Sequence, residues 1–279
     1  MHRYASCALA LSFCVSVIAA EPSAKTPAPP SNPKYTHGDR LRPRPTVVTP
    51  PTASTQKEPG KPPSDAIVLF DGTDLSAWQP WHPDRDRSQE PIKWVIQDGY
   101  CTAAGSALET KQTFGDCHVH LEWRTSPEEA AQGEARIDQH RGNSGIEFGD
   151  HPEIQVLDSF ENDTYPDGQA ASIYGSWPPL ANATRKPGEW QSYDMIYVAP
   201  RFEGKKKVAN AVYTVLHNGL PVHHHVEVSG NDVETHIRLR PHGGEIRYRN
   251  IWVRPLHQYD ENEGKPLPKG ARTENPFKK

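Results

Sequence analysis

The feature that most constrains this chain is the strict two-residue alternation of Cys117 to Trp123, C-H-V-H-L-E-W, echoed more loosely in short runs along the second half. A period of two sends successive side chains to opposite faces of a strand, so one face of each run suits a core and the other suits water or a ligand. Further runs of this kind are Ile146 to Phe148, Glu153 to Leu157, Tyr193 to Val198, Ala211 to His217, Val222 to Val228, His236 to Leu239 and Glu245 to Pro255. Turn signals separate them at Asp98-Gly99, Asn218-Gly219 and Gly243-Gly244, and Asn-Gly between two apolar runs is the strongest short-range sign of a hairpin. The helical hint is confined to Pro127 to Gln132, which reads as a charged insertion in a loop. Many short strands joined by tight turns predict an all-β fold, an antiparallel β-sandwich of the jelly-roll type. Trp78, Trp94, Trp190 and Trp252 are assigned to its core.

Composition changes sharply along the chain. Residues 1–20 carry an apolar run, Leu9 to Ala20, after His2 and Arg3, and end in small residues. That run is too short to cross a bilayer and fits a secretory signal peptide, so the chain is expected to be exported, to a periplasmic or extracellular place, with no integral membrane segment in its mature form. Residues 21–64 are rich in proline, threonine, serine and lysine, and a segment so poor in large apolar side chains is expected to be an extended, disordered linker. Residues 65–256 are long enough for one sizeable core and too short for two ordinary domains. Residues 257–279 form a polar tail. The domain is acidic once the mildly basic linker is set aside, which argues against a nucleic-acid partner, and neither a P-loop nor a dinucleotide-binding glycine pattern occurs. Two cysteines, Cys101 and Cys117, lie in the domain, and either a disulfide or two separate core thiols fits an exported protein.

Polar, aromatic and glycine residues concentrate around short apolar runs between Asn143 and Trp190. The chain reads L-F-D-G-T-D-L-S-A-W from Leu69, W-V-I-Q-D-G from Trp94, N-S-G-I from Asn143 and E-I-Q-V-L-D-S from Glu153. It continues with Y-G from Tyr174, K-P-G-E-W from Lys186, V-L-H-N-G from Val215 and R-Y-R-N-I-W-V-R-P-L from Arg247. In this order the motifs resemble the 3-keto-disaccharide hydrolase domain family, and the resemblance spans essentially the whole domain. It implies a concanavalin-like jelly roll and an enzyme that cleaves the glycosidic bond of 3-keto-glycosides. Before the last strand the chain departs from the family's usual Gln-Asp-His-Gly: Arg240-Pro241-His242-Gly243 keeps the histidine and loses the acid beside it.

The chemistry implied by the resemblance starts from a ketone at C3, which acidifies the hydrogen at C2 and lets the C1 oxygen leave by elimination, with water adding afterwards. That route needs a base for the C2 proton and a cation or donor for the enolate oxygen. The competing route uses two carboxylates, with Glu153 joined by a second acid such as Glu147 or Asp158. Glu153, His242 and His225 are the catalytic candidates. Gln155, Asp158, Lys186, Tyr174, Trp177 and Asn143 are the candidates for holding an oligosaccharide or glycoside. Strand alternation puts Glu153 and Gln155 on one face; Asp158 fits equally a turn cap, and Lys186 an ordinary loop lysine. His223, His225 and Glu227 share a phase that would let them converge on a divalent metal, although no close-spaced ligand signature specifies one and no cofactor is assigned. His217 reads as structural, and His118 and His120 as exposed positions on a sheet. The alternative function is a non-catalytic carbohydrate-binding or envelope-anchoring module, since this fold hosts binders as readily as enzymes.

Overall fold

The computed structural model describes residues 35–130, 139–256, 270 and 272–274. The proposed leader at 1–20, the linker as far as residue 34 and most of the tail at 257–279 lie outside the described residues. Fifteen strands follow one another: β1 (Ile67–Phe70), β2 (Trp78–Trp81), β3 (Val95–Gln97), β4 (Tyr100–Thr102), β5 (Ala107–Thr110), β6 (Cys117–Thr125), β7 (Ser144–Phe148), β8 (Ile154–Val156), β9 (Gln191–Val198), β10 (Arg201–Glu203), β11 (Lys206–Ala209), β12 (Ala211–His217), β13 (Leu220–Val228), β14 (Ile237–Pro241) and β15 (Ile246–Pro255). Two short helical turns interrupt them among the described residues, Pro127–Ala130 where the helical hint lies and the 3-10 turn Pro166–Gly168. No helix of the described residues is long and apolar enough to cross a membrane.

Thirteen of these strands form two antiparallel layers, and β10 and β11 pair with each other as a separate ribbon. The larger sheet runs β13-β12-β9-β6-β15-β4-β3, with β1 also paired to β15, and the smaller runs β2-β5-β14-β7-β8. Between them lies the core. Val119, Leu121 and Trp123 of β6, Tyr193 and Met195 of β9 and Val253 of β15 face Leu108, Ile146, Phe148, Ile154, Ile237 and Leu239 of the smaller sheet, all essentially buried. Each large apolar side chain removed from water contributes about 1.5–3 kcal/mol. A one-residue slip of any strand would turn that whole set outward, which is why the alternation fixes the register. Tyrosines stitch the layers together: Tyr193 Oη donates to the Gln155 carbonyl at 2.9 Å, and Tyr248 Oη meets Ser144 Oγ at 2.6 Å. The Asn218-Gly219 turn joins β12 to β13 with both residues at positive φ, +51° and +80°, the geometry a two-residue hairpin requires. Cys101 and Cys117 are free, buried thiols, which settles the choice left open above. Burial pushes the Cys101 thiol up to about 12, so it is inert at ordinary pH.

Three expectations need correction. Trp78 and Trp94 belong to the inter-sheet core, but Trp190 and Trp252, equally buried, do not. Trp252 pairs in register with His120 and points away from the core, because Asn250 is the extra residue of a bulge in β15, at φ +48°. The linker is also not a free spacer to its end. Thr49 and Ser64 bond each other, Thr49 N to Ser64 Oγ at 3.0 Å and Ser64 N to Thr49 O at 3.1 Å, and so close a loop. The tip of that loop lies on the outer face of the larger sheet: Ser54 Oγ donates to Glu122 Oε1 at 2.5 Å, Arg249 Nη2 donates to the Thr55 carbonyl at 2.6 Å, and Gln56 bonds both the N–H and the carbonyl of Trp190. Composition predicts mobility from missing apolar surface; hydrogen bonds to a partner surface are invisible to it. Finally, β13 does not alternate cleanly. Register shifts against β12 lie on both sides of Val215, and His225 sits at φ +52°, so His223 and His225 do not share a face.

Candidate active site

On the smaller sheet the residues that alternate with the core positions form an outward face. In β14, Ile237 and Leu239 go inward while Arg238 and Arg240 go outward; in β7, Ile146 and Phe148 go inward while Gly145 and Glu147 go outward. Arg238 lies opposite Glu109 on one side and Glu147 on the other, and Arg240 lies opposite Gly145. Glu153 enters β8 beside this face. It lies across Gly145, where a β-carbon would stand 2.0 Å from the Glu153 carboxyl carbon, so any larger residue there would push that carboxylate aside. His242 follows β14 directly. Its N–H donates to the Asn143 carbonyl at 2.9 Å, which fixes the turn, and its Nε2 stands 3.4 Å from Glu153 Oε2. The imidazole is 35% exposed and the carboxylate 11%, so the pair is reachable from solvent with its acid largely sheltered. No hydrogen bond among the described residues engages the other ring nitrogen, Nδ1.

Two arginines and a tryptophan continue this face. Arg240 Nη1 pairs with Glu147 Oε1. Arg238 Nε donates to Glu109 Oε2 at 3.2 Å and its Nη1 to the Gly149 carbonyl at 2.6 Å, while Gln79 Nε2 holds the other Glu109 oxygen at 3.0 Å. Both guanidiniums lie over Trp81, 4.3 Å and 5.5 Å from its ring centre. Burial raises the Glu147 carboxyl above the usual carboxylate range, in spite of Arg240. At the Trp81 end the face runs into a cavity of about 350 Å³ between Trp81, Glu109 and the loop carrying His82, Arg85 and Arg87.

The other sequence candidates divide. Tyr174 and Trp177 are exposed, by 44% and 58%, on a loop tied to the edge of the sheet by Tyr174 N to Glu153 O at 2.9 Å. Tyr174 Oη meets Tyr165 Oη at 2.7 Å, so this loop presents an aromatic ledge beside Glu153. Gln155 is not on the open face. It is buried, its amide donating to Asn143 Oδ1 at 2.8 Å and to the Ser144 and Val156 carbonyls, and it braces the turn that seats His242. Asn143 thus braces the turn through its two acceptors, Oδ1 on Gln155 and the backbone carbonyl on His242, while no hydrogen bond among the described residues engages its Nδ2 donor. Asp158 is buried and paired with Arg141, and it caps Phe160 N at 3.1 Å, which is the structural alternative. Lys186 stands exposed on its loop. His225 is exposed on the edge strand of the other sheet, and among the described residues no hydrogen bond or ion pair joins it to Glu153 or His242. His223 is buried against the Ala171 carbonyl, and no group of three His, Cys, Asp or Glu side chains among the described residues is placed to hold a metal ion. Arg238 and Arg240 are absent from the sequence candidates; the alternation I-R-L-R-P before His242 was the signal for them.

A second polar cluster, also unforeseen, lies on the outer face of the larger sheet. His118 Nε2 and His120 Nδ1 both meet Asp194 Oδ1, at 3.0 and 2.9 Å. Glu122 accepts from Arg249 Nε at 2.7 Å and from Asn250 Nδ2 at 2.7 Å, with His120 Nε2 at 3.7 Å. His217 is structural, as read: it is buried against Trp123 and Tyr193, and burial pulls it down to about 3.

Comparison with known proteins agrees with this fold. No curated protein matches the chain. Among solved structures, a candidate glycosyl hydrolase from Parabacteroides distasonis ATCC 8503 is 38% identical, with a TM-score of 0.66 over 82% of this chain and 100% of that one. A second candidate glycosyl hydrolase from the same organism, 14% identical, shares the fold with a TM-score of 0.52 over 69% of this chain and 94% of that one. Residues 65–254 match the model of the 3-keto-alpha-glucoside-1,2-lyase-like domain. With the family model matched over the whole length of the domain and a 38% identical glycosyl hydrolase-like structure sharing the sandwich, this chain belongs to the 3-keto-alpha-glucoside-1,2-lyase-like domain family.

Proposed function

We propose that the outer face of the smaller sheet cleaves 3-keto-glycosides by elimination followed by hydration. The observation that carries this reading is the 3.4 Å approach of His242 to Glu153 on an open face that also holds a cation two residues away, Arg240. His242 Nδ1 takes the C2 proton while Glu153, at Nε2, steadies the imidazolium that results. The C2–H electron pair moves into the C2–C3 bond and the carbonyl pair moves onto the C3 oxygen, where Arg240 stabilises the charge. Collapse of the enolate breaks the C1–O bond; the departing oxygen takes the proton back from His242, and water then adds its OH at C1 and its H at C2. The Tyr174 and Trp177 ledge offers ring faces to the apolar side of a sugar. Arg240 supplies the charge that Lys186 and His225, on their separate loop and edge strand, do not. An exported enzyme at the outer side of the cell, reached through a leader at residues 1–20, completes the reading.

A second reading rests on Glu147. A carboxyl held up by burial on the strand beside Glu153 is the pairing a two-carboxylate hydrolase uses, with Glu147 as acid and Glu153 as base or nucleophile. Incubation of the purified protein with a 3-keto-disaccharide and with the unoxidised disaccharide in deuterated water separates the two. Elimination cleaves the oxidised sugar alone and leaves solvent deuterium at C2. Cleavage of both sugars with protium retained at C2 moves the assignment to the carboxylate pair. Binding without turnover of either sugar assigns the non-catalytic module.

A further inference from the structure

Four large apolar side chains stand exposed between residues 165 and 180: Tyr165 and Tyr174 by 44%, Trp177 by 58% and Leu180 by 77%. Scattered singly such residues are ordinary on a surface; gathered on one fixed loop they mark a contact surface. The backbone fixes this loop. Ile173 bridges both Ile154 of β8 and Trp177, so the turn extends the smaller sheet past its edge strand. Ile173 N donates to the Trp177 carbonyl at 3.0 Å and Trp177 N to the Ile173 carbonyl at 2.9 Å, while Gly175 N reaches Asp167 O at 3.0 Å and Leu180 N reaches Val222 O at 2.9 Å. Gly175, at φ +66°, takes the reversal that a side chain would resist. Tyr165 and Tyr174 meet through their hydroxyls at 2.7 Å with ring centres 6.3 Å apart. The rings are thus in place before a ligand arrives, which removes part of the ordering cost of binding.

The order of groups across the sheet orients the sugar. Arg240 of β14 lies opposite Gly145 of β7, and the Glu153 carboxylate lies over Gly145 with His242 Nε2 at 3.4 Å. Tyr174 stands beyond β8 on the same outward side, since Ile173 before it is buried in the core. In a pyranose ring C2 lies between C3 and C1. With the C2 hydrogen at His242 and the C3 oxygen at Arg240, C1 and its substituent point away from Arg240, across β8 and toward the exposed rings. We propose that Tyr165, Tyr174, Trp177 and Leu180 form the leaving-group subsite and that it takes an aromatic aglycone, so that aryl 3-keto-glycosides are preferred over 3-keto-disaccharides. This inference rests on the reaction proposed above. The residues of the loop match an aromatic ring better than a second sugar. Tyr174 to Leu180 reads Y-G-S-W-P-P-L, without a charged or amide side chain. A second sugar carries hydroxyls around its whole edge and needs such groups to replace its bonds to water, whereas a planar apolar ring needs only faces and methylenes to cover it. The cavity of about 380 Å³ on the outer face of the larger sheet, under the loop of residues 51–61, does not compete for that ring. Its carboxylates, Asp194 and Glu122, are engaged by His118, His120, Arg249 and Ser54. Burial alone pulls the His120 imidazole down, but Asp194 and Glu122 together outweigh it and hold it at about 9.

Unoxidised glucosides, which elimination leaves intact, test the subsite apart from the reaction. Calorimetry on the purified protein should show phenyl α-glucoside binding roughly tenfold tighter than methyl α-glucoside, about 1.4 kcal/mol, and tighter than a glucosyl-glucose disaccharide. Methyl 6-O-benzyl-α-glucoside, which carries its ring on C6 instead of C1, should gain nothing over methyl α-glucoside. Trp177→Ala should reduce the phenyl-to-methyl ratio to about two and Trp177→Phe should restore most of it, with the melting temperature unchanged in both, as suits an exposed ring. Turnover of the 3-keto forms of the phenyl and methyl glucosides in deuterated water reads the reaction separately. Cleavage of both with a binding ratio near one overturns the subsite and leaves the reaction standing. A phenyl preference that depends on Trp177, without turnover, keeps the aromatic site and sinks the reaction. Tighter binding of the disaccharide, an undiminished phenyl preference in Trp177→Ala, an equal gain from the C6 benzyl group, or no measurable binding of phenyl α-glucoside each overturns the proposal.

Discussion

The outer face of the smaller sheet and the outer face of the larger one both set histidine against carboxylate, His242 at 3.4 Å from Glu153 and His120 at 2.9 Å from Asp194. Their surroundings differ. His242 stands half in solvent with one ring nitrogen uncommitted, beside an exposed aromatic ledge and an arginine. His120 is enclosed: one nitrogen is spoken for by Asp194, the other faces Glu122 and Asn250, its ring is covered by Trp252, and a loop of the chain's own N-terminal segment crosses above. The tighter, more strongly perturbed pair is therefore the one with nothing left to offer a substrate. A displaced titration marks strong internal partners, and structural networks produce it as readily as catalytic ones. What distinguishes a reacting pair is an unmet hydrogen-bonding atom that a ligand can reach.

The sharpest way to break this contrast is to remove the imidazoles. His242→Ala should lower turnover of a 3-keto-glycoside by 10²–10⁴, the usual worth of a general base, and slow C2 hydrogen exchange in the same proportion, with the melting temperature nearly unchanged. Glu153→Gln should follow at about 10², because the imidazolium loses its counter-charge. A fully active Glu153→Gln enzyme would remove that residue from the site.

Arg240→Leu should cost about 10- to 100-fold in kcat with a smaller change in KM, since an enolate forms after binding. It also strips Glu147 of its partner, so a thermal scan must accompany the kinetics. Arg240→Lys separates the two effects: it keeps the charge and should recover most of the stability but less of the rate. A rise in KM alone would make Arg240 a ground-state contact.

His120→Ala should leave turnover within about twofold and instead destabilise the fold by about 1–3 kcal/mol, the cost of stranding sheltered carboxylates. The wild-type protein should lose part of its stability between pH 6.5 and 9, and the variant should not; chemical denaturation at the two pH values reads the difference. A large loss of turnover in His120→Ala would erase the distinction between the two faces. Smallest of all, Lys186→Ala should change neither rate beyond twofold nor stability beyond about 0.5 kcal/mol, as suits an exposed loop residue.

Much of the fold was legible because its signals are local. The alternation of Cys117 to Trp123 specifies an inner and an outer face for β6, and Asn218-Gly219 can take the two positive φ angles that a tight hairpin demands. The site was legible only in pieces. Glu153 and His242 each announce themselves by type and motif, but they lie 89 residues apart, and the contact between them depends on β14 seating beside β7 and on Gly145 leaving the space. Gln155 was misjudged because alternation gives the side of a strand and not what covers that side; here Asn143 and the turn beside it do. His225 was misjudged because a bulge adds a residue to one strand only, and nothing in H-H-H announces where the count is broken.

The sequence by itself determined which residues can be inside: the period of two, the turn residues and the apolar content of residues 65–256 leave an antiparallel sandwich as the way to bury that surface. Only the tertiary structure decided which polar residues meet, which of them keep a free atom toward solvent, and that residues 49–64 belong to the folded body. The reason is physical. Burial is set by each side chain's own transfer free energy and so is written position by position. A hydrogen-bonded pair, by contrast, depends on distance and angle between groups from distant parts of the chain, fixed to within tenths of an ångström only when the strands that carry them have packed.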